Sequence, residues 1–314
     1  MVDNSIAKRD MISTCLICGG SSLTPYFSKN GFTTMHCGTC GLAYTHPMPT
    51  AEQIAEIYRD NYFASHYTDI ERWHRGNVSP GEIACVNMSA LVRVAEIQGI
   101  LSELGVRDHV KFLELGSSYG IVLNAGKLLG WDVWGVEVNE TLAKYCREVA
   151  GLNVLCKSIE ESVPLLPRDF QAIALYHVIE HVKDPVALVL QLFSLVRRGG
   201  IVVIQTPNIE SRNSLEQGSA WEYFKPPEHL WYFSESSLKA LLKRAGFRPI
   251  ECKVSDSRTM LKQVLRVPLF RIVRALGIAL NPLKNFQIAV AIIKKFRTKS
   301  INIDDAITVI AMKP

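Results

Sequence analysis

The sequence predicts an α/β fold, a sheet of parallel strands joined by helical crossovers, preceded by a small amino-terminal ribbon built on cysteines. Three observations predict it. From Val110 onward, apolar runs of strand length alternate with helical stretches ending at glycines. Before them stand two Cys-x-x-Cys pairs, Cys15/Cys18 and Cys37/Cys40. The composition, 48% hydrophobic and 21% charged over 314 residues, is too apolar for a disordered chain and too interrupted by charge for a membrane channel.

Residues 1–50 form the ribbon. Its two cysteine pairs are separated by eighteen residues, and a glycine follows each, Gly19 and Gly41. Two thiolates spaced this way can face one ion, and a second pair completes a tetrahedron around structural zinc. A segment this short builds little core, so the metal would supply folding energy. Cys85, Cys146, Cys156 and Cys252 are scattered and read as buried thiols.

Residues 51–108 are expected to be a helical connector or lid. Thr50 with Gln53 makes a capping box for a helix from Ala51, and an amphipathic pattern runs from about Glu82 to Leu104. Tyr62, Phe63 and Tyr67 lie between them.

Residues 109–256 carry the alternation. Strands are expected at Val110–Leu115, Trp131–Val138, Asn153–Cys156, Ala172–Tyr176, Ile201–Gln205 and Arg248–Val254. A helix from Asp184-Pro185 is expected to end at Gly199-Gly200, and one capped by Ser234 to end at Gly246. Parallel strands of this kind bind ligands at their carboxyl ends.

The first loop, Glu114-Leu-Gly116-Ser-Ser118-Tyr-Gly120, selects the ligand. A dinucleotide fingerprint has a second glycine where Ser118 stands, so the loop offers a tight turn without a pyrophosphate cradle. An acid at its start suits a ligand bearing an ammonium group. Glu137, 17 residues after Gly120 at the end of the next strand, can accept both hydroxyls of a ribose. An adenosine ligand without phosphates is the inference; the bland alternatives are a surface acid for Glu114 and a solvated strand end for Glu137.

On these residues the chain resembles the class I S-adenosylmethionine-dependent methyltransferases. Glu114–Gly120 looks like their first motif, and Glu137 like their ribose acid. The segment Phe170–Pro185, with its Tyr176-His-Val-Ile-Glu-His-Val182 run, is similar to the ubiquinone-type branch, and Arg198-Gly-Gly200 to the family's usual turn. The ribbon, His46-Pro-Met-Pro-Thr50 and Lys225-Pro-Pro-Glu-His-Leu-Trp-Tyr-Phe-Ser234 resemble a zinc-ribbon-bearing branch that includes sugar C-methyltransferases. The first motif departs at Ser117-Ser118, where Cys-Gly is commoner.

The resemblance implies a Rossmann-like methyltransferase sheet whose last strand, Ala306–Met312 within residues 304–314, is antiparallel. It implies S-adenosylmethionine held by the backbone of Gly116, Ser118 and Gly120, with Glu114 near the ammonium and Glu137 on the ribose. Lys157, Ser158 and Ile159 would flank the adenine, and Tyr176 and His177 the methionine and the methyl group. Methyl transfer from a sulfonium needs alignment and, for a hydroxyl or carbon acid, a base. His229 assisted by Glu228 is the expected base, because a Glu-His pair in the comparable loop serves the sugar-methylating branch. The alternative is that His229 anchors its loop. His177 is a cofactor contact with a second claim to catalysis, and His181 reads as structural. Trp221, Tyr223, Phe224, Trp231, Tyr232 and Phe233 are either a stacking surface for a ring-shaped acceptor or the loop's own core. Tyr62 and Tyr67 are candidate lid contacts.

The formal net charge of +5 hides a division along the chain. Residues 257–303 hold ten basic and no acidic side chains, while the other 267 residues hold 25 basic and 30 acidic ones. Helical spacing of Leu261, Val264, Leu265, Leu269, Ile272, Val273 and Leu276 makes this a basic amphipathic insertion. It can lie on an anionic membrane surface, or pack on the body or across a dimer. Nucleic acid is a weaker partner, because the ten cations are accompanied by only three aromatics, Phe270, Phe286 and Phe296, with no tyrosine or tryptophan. The longest uncharged runs there are nine residues, too short to span a bilayer. Without a secretory signal at its start the chain is expected in the cytoplasm, with the insertion as a route to the inner face of the membrane.

The expected activity is methyl transfer to a sugar or glycoconjugate. The alternatives are O-methylation of a quinone or small aromatic precursor, and a non-catalytic binding module of the same fold.

Overall fold

The computed structural model describes residues 13–56, 80–106, 109–254 and 305–314. Tyr62, Tyr67 and residues 257–303 lie outside the described residues. Three ribbon strands, β1 (Leu23–Lys29), β2 (Phe32–Cys37) and β3 (Ala43–His46), are followed by α1 (Ala51–Glu56) and α2 (Pro80–Glu103). Then come β4 (Lys111–Leu115), α3 (Ile121–Leu128), β5 (Asp132–Val136), α4 (Glu140–Glu148), β6 (Asn153–Leu155), α5 (Ile159–Ser162) and β7 (Phe170–Tyr176). The chain continues through α6 (Pro185–Leu195), β8 (Val196–Pro207), α7 (Arg212–Gln217), β9 (Trp231–Tyr232), α8 (Glu235–Arg244), β10 (Arg248–Val254) and β11 (Ala306–Met312).

The main sheet has seven strands in the order β10-β11-β8-β7-β4-β5-β6. The pairs β4–β5, β5–β6, β4–β7 and β7–β8 are parallel, while β11 runs antiparallel to both β8 and β10. The order reverses at β4, so a ligand crevice opens where β4 and β7 diverge to opposite crossovers. Strand alternation sorts the core into two faces. Phe112, Ala172, Ala174, Ile201, Val203 and Ile310 pack with α2, α3 and α4. Leu113, Leu115, Ile173, Leu175, Val202 and Ile204 pack with α6, α8 and the ribbon.

The glycine pair Gly199-Gly200 does not end a helix. α6 stops at Leu195 and β8 begins at Val196. The register against β7 jumps from Phe170↔Val196 to Ala172↔Ile201, so the glycines form an irregularity within the strand. Gly199, at φ 72°, gives its amide to the carbonyl of Lys313. A glycine that supplies a left-handed residue looks the same in sequence at a helix end and at a bulge.

The ribbon is joined to the body by a second sheet, β1-β2-β3-β9, whose fourth strand comes from the segment after β8. β3 pairs antiparallel with β9 through Ala43↔Tyr232 and Tyr44↔Trp231. Cys15, Ile17, Cys37, Leu42 and Tyr44 share one buried cluster with Trp231, Phe233, Leu238 and Leu241. Ser234 and Ser236 hydroxyls donate to Cys40 O, and Arg244 donates to the Leu16 and Ile17 carbonyls. Residues 13–50 therefore share a core with the larger sheet.

The strand ends that flank the basic insertion are also placed. Val254 pairs with Ile307, and Ala306 with Pro207 at the carboxyl end of β8. The stretch between β10 and β11 thus leaves and re-enters at the ligand edge of the sheet.

Gly120 caps α3 at φ 68°, and a Cβ there would fall on Leu152 Cδ1 and 3.0 Å from Cys146 Sγ. Gly120→Ala is expected to lower stability by ~1–3 kcal/mol through backbone strain and overlap, read as a lower urea midpoint with an unchanged slope.

Candidate functional site

The loop Gly116–Gly120 is pinned to the end of β5: the amides of Gly116 and Ser117 both donate to Val136 O, at 2.9 and 3.0 Å. Gly116, Ser118 and Gly120 all have positive φ, at 69°, 48° and 68°. Ser118 bears a side chain in this left-handed conformation, and its amide donates to Glu137 Oε2 at 2.8 Å. Asn139 N donates to Glu137 Oε1 at 2.9 Å, while Asn139 Oδ1 caps α4 through Leu142 N. Burial raises the Glu137 carboxyl from its ordinary value, and these amides oppose the rise. Each carboxylate oxygen keeps a free lone pair for a ligand hydroxyl, so the arrangement fits a ribose diol. After β6, Ser158 accepts from Glu161 N in a capping box for α5, Ile159 packs against the core, and Lys157 is exposed.

Glu114 is 4% exposed, and its Oε2 has no hydrogen-bond partner. Burial pushes its carboxyl up to about 8; the Glu137 charge adds to this and Arg93 opposes it. It is mostly protonated at neutral pH and would ionise beside an incoming cation. Arg93, from α2, was not singled out in the sequence. Its guanidinium carbon lies 3.9 Å from the centroid of the Tyr176 ring, and Nη2 donates to Gln205 Oε1 at 2.9 Å. A cation on an amphipathic helix reads as solvated, and only the tertiary fold brings it over the ends of β7 and β8.

Beyond β7 the segment 177–182 is laced to the loop that precedes β9. The amides of Leu230 and Trp231 donate to Glu180 O at 2.8 and 3.2 Å, and Trp231 Nε1 donates to Val182 O at 2.8 Å. His181 Nδ1 lies 3.0 Å from Glu228 O and donates to it. His177, at φ 56°, gives its amide to Gln205 O and lies nearly parallel to the Tyr223 ring at 6.1 Å. Its Nδ1 faces Glu180 Oε1 at 3.4 Å.

His229, the base expected from sequence, is only 4% exposed. Burial, reinforced by the nearby His181, depresses its imidazole to about 3. Its Nε2 is 3.9 Å from Glu228 Oε1, its Nδ1 has no partner, and its carbonyl accepts from Thr45 Oγ1. A histidine this enclosed and this weakly basic fits the loop-anchor reading better than proton abstraction.

The aromatic segment also resolves toward the bland alternative. Trp221, Phe224, Trp231, Tyr232 and Phe233 are buried, with Trp221 Nε1 donating to Asp305 Oδ2 at 3.1 Å. Among these six aromatics Tyr223 alone is partly exposed, so it is the one ring of the group open to an acceptor.

The four ribbon thiols converge. Cys15 and Cys40 Sγ are 3.6 Å apart, as are Cys18 and Cys37, and all four lie within 4.8 Å of one another. Tetrahedral sulfurs at ~2.3 Å from zinc would be ~3.8 Å apart. Gly19 and Gly41, at φ 72° and 73°, close the two turns, and Gly20 N donates to Cys18 Sγ at 3.4 Å. This donor set fits one tetrahedral ion with no open position. Glu180, His181 and His229 also bring potential ligand atoms within 4.8 Å of one another, but Glu180 Oε2 already accepts from Thr206 and His181 Nδ1 donates to Glu228 O.

A family model described as a methyltransferase domain matches residues 90–252. The chain belongs to that family. It is 32% identical over 151 residues to a ubiquinone biosynthesis O-methyltransferase of Chromobacterium violaceum, covering 43% of this chain and 63% of that protein. A protein of the same name from Neisseria meningitidis is 27% identical over 168 residues, covering 49% and 68%. Among solved structures, the plantazolicin methyltransferase BamL superposes with a TM-score of 0.55 at 14% identity, covering 82% of this chain and 94% of that one. The last likeness concerns the fold alone.

In this methyltransferase domain the structure gathers Glu114, Gly116, Ser118, Gly120, Glu137, Tyr176 and His177 along the carboxyl edge of β4, β5 and β7. Lys157, Ser158 and Ile159 follow β6 at the same edge. Trp221, Trp231 and His229 lie behind that edge as packing.

The raised Glu114 carboxyl has a consequence for stability. Between its ordinary value of 4.5 and about 8 the unfolded state loses a proton that the folded state keeps. Stability of the ligand-free protein should therefore fall as pH rises through this window, by up to ~1.4 kcal/mol per unit. Glu114→Gln is expected to flatten the slope, as measured by denaturation midpoints at pH 5, 6.5 and 8.

Proposed function

We propose that the chain is an S-adenosylmethionine-dependent methyltransferase that methylates a hydroxyl on a small ring, with a sugar or glycoconjugate as the first reading of the acceptor. The observation that carries the cofactor reading is the buried Glu137 carboxylate, oriented by the Ser118 and Asn139 amides beside a left-handed loop. A bound sulfonium would supply an activated methyl group. Glu137 would hold the ribose, the Gly116–Gly120 backbone would pack along the amino-acid part, and Glu114 would meet the ammonium. Tyr176 and His177 would border the transferring methyl, with Tyr223 against the acceptor ring.

The sugar reading rests on the resemblance of the ribbon and of Lys225–Ser234 to the sugar-methylating branch. O-methylation of a quinone or small aromatic precursor is supported by the two relatives named as ubiquinone biosynthesis O-methyltransferases. Structural zinc in the ribbon is supported by the convergence of the four thiols.

The basic insertion bears on where the acceptor lies. The strands that flank residues 257–303 end at Val254 and resume at Ala306, both at the ligand edge. We infer that they bring this edge to an anionic membrane surface. Among the described residues no helix is long and apolar enough to cross a membrane.

Calorimetry is expected to show S-adenosylmethionine binding that weakens at least ~10-fold in Glu137→Ala; no binding at millimolar ligand would sink the enzymatic reading. Labelled cofactor offered with nucleotide sugars, lipid-linked glycans and catechols separates the acceptor classes. The protein is expected to pellet with phosphatidylserine vesicles in low salt. Replacing the ten basic residues of 257–303 by glutamine should abolish that pelleting, and equal pelleting by both proteins would refute the membrane reading.

A further inference from the structure

The cleft needs a base, and the residue expected from sequence is enclosed. A different pair of side chains has the arrangement a base requires. Glu180 is 1% exposed, and its Oε2 accepts from the Thr206 hydroxyl at 3.0 Å. Its Oε1 makes no hydrogen bond within normal limits and faces His177 Nδ1 at 3.4 Å. The His177 side chain is 37% exposed. It stands at the end of β7, one residue after Tyr176, in a left-handed conformation held by the bond from its amide to Gln205 O. Strain of this kind persists where the surroundings fix it, and it often marks a functional position. Tyr223 lies nearly parallel to the imidazole, with its ring centroid 6.1 Å away.

We propose that His177 is the general base of methyl transfer and that Glu180 is its positioning residue. The inference rests on the methyltransferase reading above. A carboxylate facing Nδ1 selects the tautomer with the proton on that nitrogen, so Nε2 carries the lone pair. The acceptor oxygen then forms its bond to the methyl carbon while the carbon–sulfur bond breaks and its electron pair stays on sulfur. The hydroxyl proton passes to His177 Nε2, and Glu180 stabilises the imidazolium that results.

The charges around the pair agree with this. Burial alone would raise the Glu180 carboxyl, but His177 Nδ1 at 3.4 Å and the nearby His181 outweigh it and hold it at about 2. The hydroxyl of Tyr223, the ring nearest to parallel with His177, is raised by burial and by the Glu222, Asp305 and Glu180 charges. His229, edge-on to His181 at 4.7 Å, closes the back of the cluster.

Nitrogen-15 NMR of histidine-labelled protein in S-adenosylhomocysteine tests the pair without an acceptor. The wild type should show His177 as the Nδ1–H tautomer. Glu180→Gln, which presents an amide donor to the ring, should shift it toward Nε2–H while the fold, followed by backbone amides, is kept. A wild-type Nε2–H tautomer, or one that Glu180→Gln leaves unchanged, would overturn the assignment. His177→Asn should lose ~100-fold or more in the rate of methyl transfer to a ring hydroxyl at saturating S-adenosylmethionine. Full turnover in that variant would also overturn it. Failure of the wild type to bind S-adenosylmethionine would instead strike the underlying reading.

Discussion

The amide of Thr45 donates to the carbonyl of Leu230, and beside this bond β3 pairs with β9. Through these contacts the cysteine ribbon grips the segment between β8 and α8. Beyond α7 that segment has little regular structure to hold it, since β9 is two residues long. Further contacts follow the same path: Lys29 Nζ donates to Phe224 O, Asn30 Nδ2 to Pro226 O, and Thr45 Oγ1 to His229 O. On its other side the segment reaches the strand ends through Glu180 O and Val182 O. The loop that would face an acceptor is thus clamped between the ribbon and the residues that follow β7. A short loop rich in aromatics and prolines gains a fixed shape this way, at positions where its backbone groups would otherwise lack partners.

This constraint gives the four ribbon cysteines a second meaning. Cys37 ends β2, and Cys40 passes its carbonyl to Ser234 and Ser236 at the start of α8. An ion that fixes the four thiols would fix the frame of β3, and through it the position of Leu230 and Trp231. The Gly116–Gly120 loop lies on a different path. Gly116 and Ser117 are tied to β5, and Glu137 to Ser118 and Asn139, with no ribbon residue in those bonds.

Much of this was legible in the sequence because local rules and tertiary packing agree there. The limits of β10 and β11, the Thr50–Gln53 box, and the left-handed Gly19, Gly41, Gly116 and Gly120 follow from patterns a few residues long. Other features depend on what meets across the fold. Gly199 serves a strand irregularity because Lys313 arrives opposite it. Aromatic residues around Trp231 look alike whether they stack on a ligand or on a ribbon, and here Tyr44 tilts against Trp231 at 6.0 Å. His229 has a base-like neighbour in sequence, Glu228, yet its burial comes from strands that are distant in the chain. Glu180 sits inside a quoted motif, but its partners Thr206 and His177 define its role only once β7 and β8 lie side by side.

Hydrogen exchange on the zinc-loaded protein and on protein stripped under reducing conditions tests the coupling of ribbon and loop most directly. The account predicts that the amides of Thr45, Leu230 and Trp231 lose protection together when metal is removed, while those of Leu113, Leu115 and Ile173 in the central strands keep theirs. Unchanged protection at Leu230 and Trp231 in metal-free protein would contradict it.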